Sequence, residues 1–321
     1  MDLVCKKTTE LSQTELQDIV TLFNKVFRQE RTQRILLNQY TKNAFGTSYH
    51  TLMYDDGILV GHITGLPGYY WIHDKKLKAV NPIDLMIEEG HRGLQGFLLL
   101  VKKAWKYYRE QGVQIIYHLP NNHSHPLFIK LKCSRSIGNL YTYALPYRIG
   151  GLIPQMKLFN FLSKAFCRAW ALLPGLFGSH RLTDFGIRRD YDSFMPSRYN
   201  RSDGNYSIGE VKETKFVYKI MTYEGKRTAF LIDVLGKSQK AYCRAVNYLL
   251  RNESKNFDLI LYVGYLPFLN PGLIRIPHRF EPKNFHFDGL LLDENGLSEK
   301  DKKAFYDINN WDINLSDDDI I

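Results

Sequence analysis

Apolar and polar positions change period several times along the chain. Residues 3–8 alternate as a short strand. Ser12 and Thr14 are cap candidates for an amphipathic helix whose apolar side carries Leu16, Ile19, Val20, Leu22, Phe23 and Val26. Residues 32–40 read as a second, shorter helix. The period then shortens. Residues 48–54 and 58–64 flank Asp55-Asp56-Gly57, which has the chemistry of a hairpin turn, and residues 69–73 and 79–88 continue the meander across a turn at Asp74-Lys75-Lys76. From Gly93 the helical period returns through Phe97, Leu100, Val101, Ala104, Trp105 and Tyr108, and Gly112 ends it. A buried strand at 113–119, a short helix at 124–131 and a strand at 140–147 complete the series. This order predicts a mixed sheet with helices on its faces, an α/β or α+β arrangement.

Residues 150–181 differ from what precedes them. They contain no acidic residue, and Leu158, Phe159, Leu162, Ala165, Phe166, Ala169, Trp170 and Leu173 keep helical spacing, with Lys157, Lys164 and Arg168 on the other side. Pro174, Gly175 and Gly178 are expected to break this helix. It reads as an interdomain helix with its apolar face on both halves; the alternative is an interfacial helix over 155–173 lying on anionic lipid. A second mixed unit follows: a hairpin of 215–223 and 229–235 around Glu224-Gly225-Lys226, a helix at 238–250, and strands at 259–263 and 287–292. The expected domains are 1–150, a basic helical linker at 151–182, and 183–321. Gly236-Lys237-Ser238 is no phosphate loop, because Leu231 stands where the opening glycine is required.

Charge narrows the partners. The formal net charge is +10, which favours polyanions or simply marks a basic enzyme. Basic residues are scattered rather than gathered in one tract, which argues against nucleic acid. Cys5, Cys133, Cys167 and Cys243 have neither metal-ligand nor redox spacing, and His91, His118, His123 and His125 lack accompanying carboxylates or cysteines at ligand spacing, so no metal is expected. With no leader-like N-terminus and no apolar run of about 18 residues, the expected home is the cytoplasm, at most the inner face of the membrane.

Two segments carry the chemistry. Glu88-Glu89-Gly90-His91-Arg92-Gly93-Leu94-Gln95-Gly96-Phe97 joins a strand to a helix, where backbone N–H groups at the positive helix end suit a pyrophosphate. This segment resembles the pyrophosphate loop Q/R-x-x-G-x-G/A of the GNAT N-acetyltransferases. Arg92 fits the first position, whereas Gln95 and Phe97 replace the small residues and Gly96 stands between them. The stretch from Asn121 to Cys133 resembles the signature N-x-x-A-x-x-x-Y-x-K-x-G-F of the same family, with Asn121, Ser124, Phe128, Lys130 and Leu131 in register. Phe128 stands where many relatives have the tyrosine that protonates the departing thiolate, and Lys132-Cys133 replaces Gly-Phe. A further resemblance is to tandem-GNAT enzymes of polysaccharide and cell-envelope biosynthesis. It rests on the Asn121–Ser124 segment, the weakened Arg-Tyr element Pro196-Ser197-Arg198-Tyr199, and the tail of Asn310-Trp311-Asp312 with Asp317-Asp318-Asp319.

These resemblances imply a GNAT-like N-terminal domain followed by a second, degenerate GNAT-like domain. The implied activity is an N-acyltransferase moving an acetyl or related acyl group from acetyl-CoA, or another acyl-CoA, to a small-molecule amine, with an amino sugar or nucleotide-linked sugar as the acceptor class. By resemblance Leu85, Met86 and Ile87 line a splayed strand edge that aligns the cofactor arm. Arg92, Gly93, Leu94, Gln95, Gly96 and Phe97 would hold the pyrophosphate, and Asn121, Ser124 and Phe128 would complete the cofactor site. Asp84 and Glu88 are the carboxylates nearest that edge and the candidates for general base. His123 is the candidate replacement for the missing tyrosine, and Tyr69, Tyr70 and Trp71 a candidate stacking wall. The alternatives are a non-catalytic GNAT-like binding or scaffold protein and an aminoacyl-tRNA-dependent tandem-GNAT transferase. The oligomeric state is left open.

Overall fold

The structure, a computed structural model, describes every residue except Gly178, residues 200–203, residues 269–271, Pro282 and residues 318–321. The expected helix breaker Gly178 and the tail residues Asp318 and Asp319 therefore lie outside the described residues. In chain order the elements are β1 (Asp2–Lys7), α1 (Gln13–Phe27), α2 (Gln33–Thr41), β2 (Tyr49–Asp55), β3 (Ile58–Ile72), β4 (Lys75–Ile87), α3 (Leu94–Glu110), β5 (Ile115–His118), α4 (His125–Lys130), β6 (Arg135–Leu145), α5 (Ile149–Leu152) and α6 (Asn160–Phe177). There follow β7 (Ile187–Arg189), α7 (Tyr191–Arg198), β8 (Ser207–Val211), β9 (Thr214–Tyr223), β10 (Lys226–Val234), α8 (Gln239–Tyr248), β11 (Leu259–Gly264), β12 (Ile274–Arg275), β13 (Phe285–Leu291) and α9 (Glu299–Phe305).

Two compact units divide the chain. The first takes residues 1–138, 186–204 and 286–311; the second takes 139–185, 205–285 and 312–321. In the first, strands run in the order β1-β2-β3-β4-β5-β13, with β7 also on β3. Every pairing is antiparallel except β4 with β5. Positive φ at Asp56 (46°) and Gly57 (79°) turns β2 into β3, as the Asp-Gly sequence demands. Ser12 opens α1 through a capping box with Glu15, satisfying two N–H groups reciprocally. The sheet's two faces build separate cores. Ile19, Phe23, Leu36 and Tyr40 of α1 and α2 pack on Leu52, Leu59 and Met86, while Phe97, Leu100, Ala104 and Tyr108 of α3 and Phe128 of α4 pack on Val60, Ile63, Val80 and Ile116. Trp311 is fully buried among Tyr70, Phe287 and Phe305.

In the second unit β6, β11, β10, β9 and β8 are neighbours in that order, and α6 and α8 supply the helices of its core. β10 and β11 are parallel, pairing from Thr228↔Leu259 to Phe230↔Leu261.

Two expectations are corrected. Residues 69–73 are not a separate strand: β3 runs unbroken from Ile58 to Ile72 and pairs with β4 throughout its second half. Pro67 is tolerated because β2 ends opposite Gly65 and β7 begins opposite Tyr70, so that edge makes no ladder demand at residue 67. Nor does Pro174 end α6, which continues to Phe177. So near the end of the helix the missing proline N–H removes a single bond of the ladder.

Candidate active site

Among the described residues β4 and β5 pair through Ala79↔Ile115 and Val80↔Ile116, preceded by a bond from the Gln114 N–H to the Lys78 carbonyl. Among the described pairings β4 then continues to Ile87 against β3 alone. Two parallel strands that part in this way leave backbone N–H and C=O groups along their inner edges for a ligand. Leu85, Met86 and Ile87 lie on this stretch. Met86 is fully buried beneath α1 and α2, and Leu85 and Ile87 pack into the α3 core, so what these residues offer a ligand is backbone.

Asp84 occupies a bulge. Thr64 pairs with Ile83 and His62 with Met86, which sets Asp84 and Leu85 opposite Ile63 alone. Asp84 has φ +50°, a left-handed conformation that Asp adopts more readily than most residues. The Tyr40 hydroxyl donates to its Oδ2 at 2.8 Å. Behind Tyr40 lies a polar cluster that sequence reasoning missed. His50 Nδ1 is 3.1 Å from His62 Nε2, Thr64 Oγ1 is within 3.3 Å of both rings, and Thr8 Oγ1 is 2.9 Å from His50 Nε2. The two rings are stacked, and Tyr40 meets His50 edge-on. Both imidazoles are fully buried, and burial pushes His50 down to about 3. Burial, then the charge His50 would carry, holds His62 well below its ordinary value. Among the described residues His62 Nδ1 finds no hydrogen-bond partner. Each His is the single imidazole of its own strand; the β2–β3 register brings them together.

Glu88 differs from Asp84. Lys25 donates to its carboxylate and holds it below the usual carboxylate range, and His91 lies 3.6 Å from its other oxygen. Past Glu88 the loop closes in a short 3-10 turn, and Arg92 donates Nε to the Ile87 carbonyl at 3.1 Å while remaining exposed. The first bond of α3 runs from Phe97 N–H to the Gly93 carbonyl. The N–H groups of Leu94, Gln95 and Gly96 precede it, and Gly93 provides no side-chain cap. A Cβ on Gly93 would meet nothing within 4 Å, so the approach to these donors is open, whereas one on Gly96 would sit 3.0 Å from the His91 carbonyl. Leu94 and Gln95 are exposed. Phe97 points inward against Phe128, ring centroids 5.0 Å apart, so its bulk fills the core instead of crowding the loop.

At the far end of β5, Asn121 Oδ1 accepts from the backbone N–H groups of His123 and Ser124 and lies 3.2 Å from Ser124 Oγ, closing the turn ahead of α4. The exposed Asn121 amide nitrogen is the group left for a ligand. His123 is exposed. A second constellation absent from the sequence reading stands close by. His125 Nδ1 is 2.9 Å from Asp288 Oδ2, and His286 stacks on His125 with centroids 3.9 Å apart. Asp288 pairs with His118 across β13 and β5. Burial raises the Asp288 carboxyl to about 6 against the pull of His125, and lowers His118, which lies edge-on to Phe128, to about 3. Asp288 Oδ1 and His118 Nε2 are buried without hydrogen-bond partners among the described residues. Asp288 comes from a strand far along the chain, so no local spacing announces it.

The aromatic wall is corrected. Tyr70 is buried against Tyr117 and Trp311, and Trp71 donates Nε1 to Asp190, so these two are structural; Tyr69 packs on Phe45 beneath Lys76. Lys237 is likewise structural, buried between Asp233 and Asp312.

Residues 7–128 match the family model described as an acetyltransferase (GNAT) domain. Among proteins of curated function, none matches the chain. Solved structures similar to it include a GCN5-related N-acetyltransferase from Anabaena variabilis, 12% identical with TM-score 0.57 over 90% of this chain and 73% of that one. A protein of unknown function from Enterococcus faecalis, described as a probable N-acyltransferase, is 13% identical with TM-score 0.59 over 91% and 73%. A GCN5-related N-acetyltransferase from Kribbella flavida is 12% identical with TM-score 0.58 over 91% and 71%. At such identity these likenesses speak for the fold, and they extend over both units. Residues 7–128 thus match a GNAT acetyltransferase domain, within a longer mixed α/β architecture whose fold resembles these solved structures.

Proposed function

We propose that the first unit transfers an acetyl or related acyl group from an acyl-CoA thioester to a small-molecule amine, at the gap where β4 and β5 part. The observation that carries this reading is the conjunction of that gap with the uncapped α3 N-terminus directly after β4. The residues present fit the cofactor. The N–H groups of Leu94, Gln95 and Gly96, reinforced by the helix dipole, would receive the pyrophosphate, with the Arg92 guanidinium beside them. Backbone groups of 85–87 would align the pantetheine arm as a strand-like partner, and Asn121 would hold it from the β5 side. When bound, the coenzyme supplies the activated acyl carbonyl; the chain holds and polarises it and moves the protons.

The amine must lose a proton to become nucleophilic. Asp84 is the stronger candidate for that role, because the bulge aims its carboxylate and Tyr40 orients it. Glu88 is tied to Lys25, which stabilises its ionised form and weakens it as a base. The departing thiolate must gain a proton that Phe128 cannot give. His123 remains assigned to that step, with His125 as the competitor, because only His125 is gripped by a carboxylate. An amino sugar or nucleotide-linked sugar as acceptor rests on the tandem-enzyme resemblance alone. The absence of a donor at Phe128 favours one other reading, a module that binds the coenzyme without turnover.

Calorimetry with acetyl-CoA, wild type against Arg92→Glu, tests the assignment. Binding that Arg92→Glu abolishes, followed by thiol release with a panel of amines, is the expected result. Binding without release for any amine would favour the binding module, and no binding at all would remove the cofactor assignment.

A further inference from the structure

The linker helix is built the wrong way round for a buried amphipathic helix. Its side facing the second unit's core is made of small groups. Cys167 and Ala171 are fully buried, Ser163 donates to the Pro146 carbonyl, and Asn247 of α8 reaches the Ala171 carbonyl at 2.8 Å. The large apolar side chains point away. Leu158 is 87% exposed, Phe161 68%, Leu162 51% and Phe166 50%, and Leu172 and Leu173 continue the same stripe nearly two turns further on. Exposed leucines scattered singly need no explanation, but a contiguous row of large apolar groups marks an interaction surface.

The chemistry of what covers it is read from charge. Between Glu110 and Asp184 the chain has no acidic residue and eight Lys or Arg, so this stretch holds most of the net charge of +10. Exposed Lys157 and Arg168 and half-buried Lys164 flank the apolar row, Arg168 also donating to the Tyr147 hydroxyl at 3.0 Å. A second copy of this face would set these cations against their own counterparts. An anionic bilayer satisfies both features at once: the phenylalanine and leucine side chains enter the boundary between headgroups and acyl chains while the cations meet lipid phosphates. The helix is about 27 Å long, and no described helix is long and apolar enough to cross a membrane, so α6 would lie in the plane of the surface.

We infer that the outward face of α6, with the turn before it, docks the protein on anionic membrane surfaces. This inference is independent of the acyltransferase reading. The test is flotation of the full chain with vesicles of phosphatidylcholine alone or with about one third phosphatidylglycerol. Binding to the anionic vesicles only, weakening steeply between low and high salt, is expected for the wild type. Lys157→Glu/Lys164→Glu/Arg168→Glu should lower partitioning at least about a hundredfold. Phe161→Ser/Leu162→Ser, whose side chains touch no core, should abolish it while leaving circular dichroism unchanged. No binding by the wild type, salt-independent binding, or equal binding to both vesicles would each overturn the inference. So would a dimer in sedimentation velocity that Phe161→Ser/Leu162→Ser dissolves, because the face would then belong to a second copy. The salt dependence needs no variant, so a misfolded mutant leaves the test intact.

Discussion

Lowering the pH from 7 to 5 should destabilise the first unit in a way its buried histidines determine. His50, His62 and His118 are neutral in the fold, with His50 and His118 pushed down to about 3 from an ordinary 6.5 and His62 displaced in the same direction. Below pH 6.5 the unfolded chain binds protons that the folded chain refuses. The associated stability is therefore fully present above 6.5 and is lost as pH falls toward 3. His50 and His118 each remove about 2 kcal/mol by pH 5, roughly 4 kcal/mol together, and His62 adds to the loss in the same direction. Asp288 acts in the opposite direction. Its carboxyl is raised to about 6 from 3.8, so the fold takes up a proton first and regains about 1.4 kcal/mol by pH 5. The net loss from His50, His118 and Asp288 is about 2–3 kcal/mol before His62 adds to it, a large fraction of the stability of many domains.

Urea unfolding followed by circular dichroism at pH 7.5, 6.5, 5.5 and 5.0 measures this directly. His62→Gln should flatten the pH slope whatever it does to stability at pH 7.5, because it removes one refused proton. A change below about 1 kcal/mol between pH 7 and 5, or a rise, would refute the reasoning, since three neutral buried imidazoles cannot coexist with a flat profile.

Asp84→Asn should lower kcat by about 10²–10⁴-fold with little change in coenzyme binding, whereas Glu88→Gln should stay near wild type; equal losses in steady-state turnover would remove the distinction drawn from Lys25. Trp311→Ala should cost about 3–5 kcal/mol in urea unfolding, because the indole sits fully buried among Tyr70, Phe287 and Phe305. Asp301→Asn should cost about 1–2 kcal/mol at neutral pH: its carboxylate, held below the usual range chiefly by Lys75, also closes the capping box of α9, and Lys75 is exposed enough to weaken the ion pair. In the wild type that contribution is present above the ordinary carboxylate pKa and is lost as pH falls below it, which acid titration of the variant and wild type separates from the histidine effect.

The parts of the fold legible in the sequence are those whose signal is local. The α1 cap at Ser12, the Asp56-Gly57 turn, the α3 period and the order of elements through α4 all depend on neighbours a few residues away. What stayed hidden depends on distant partners. β7, α7, β8 and α9 are short pieces ordered by strands and turns far along the chain, as where Trp71 and Lys76 hold Asp190 ahead of α7. Pro67 reads locally as a strand break, and only the vacancy on one edge of β3 shows why it is not. The apolar spacing of α6 was visible, but spacing cannot say that Ser163, Cys167 and Ala171 would win the inner side. Small residues win there because they let the helix backbone approach α8 closely. The candidate site divides the same way. Arg92, Gly93 and Gly96 were found from a loop motif, while the Tyr40–Asp84 contact, the His50–His62 pair and the His125–Asp288 pair exist only through register and long-range packing.

The second unit shows what separates a cleft that is free to bind from one that is not. It repeats the local order of the first: β10 and β11 are parallel, their pairing ends at Phe230↔Leu261 while both strands continue, and α8 follows β10 as α3 follows β4. Here the gap is filled by the chain's own C-terminal segment. Asn314 bridges Gly264 of β11 and donates Nδ2 to Asp233 of β10 at 2.9 Å, and the Ile313 carbonyl accepts from the Tyr265 N–H. Lys237, on the turn into α8, is bound by Asp233 and Asp312. The start of α8 is capped by Ser238, whose side chain accepts from Ala241 N–H, where α3 begins at a glycine that caps nothing. Asn314, Ser316 and Asp317 are buried, so the strand-edge groups that an extended ligand would need already have partners. Both units share the backbone geometry, but the second has its parted edge bridged by Asn314 and its helix start capped by Ser238, whereas α3 of the first begins at Gly93 with no side-chain cap. Under the proposed function, this difference, rather than the fold, favours coenzyme binding at Arg92 and its loop and predicts one coenzyme bound per chain.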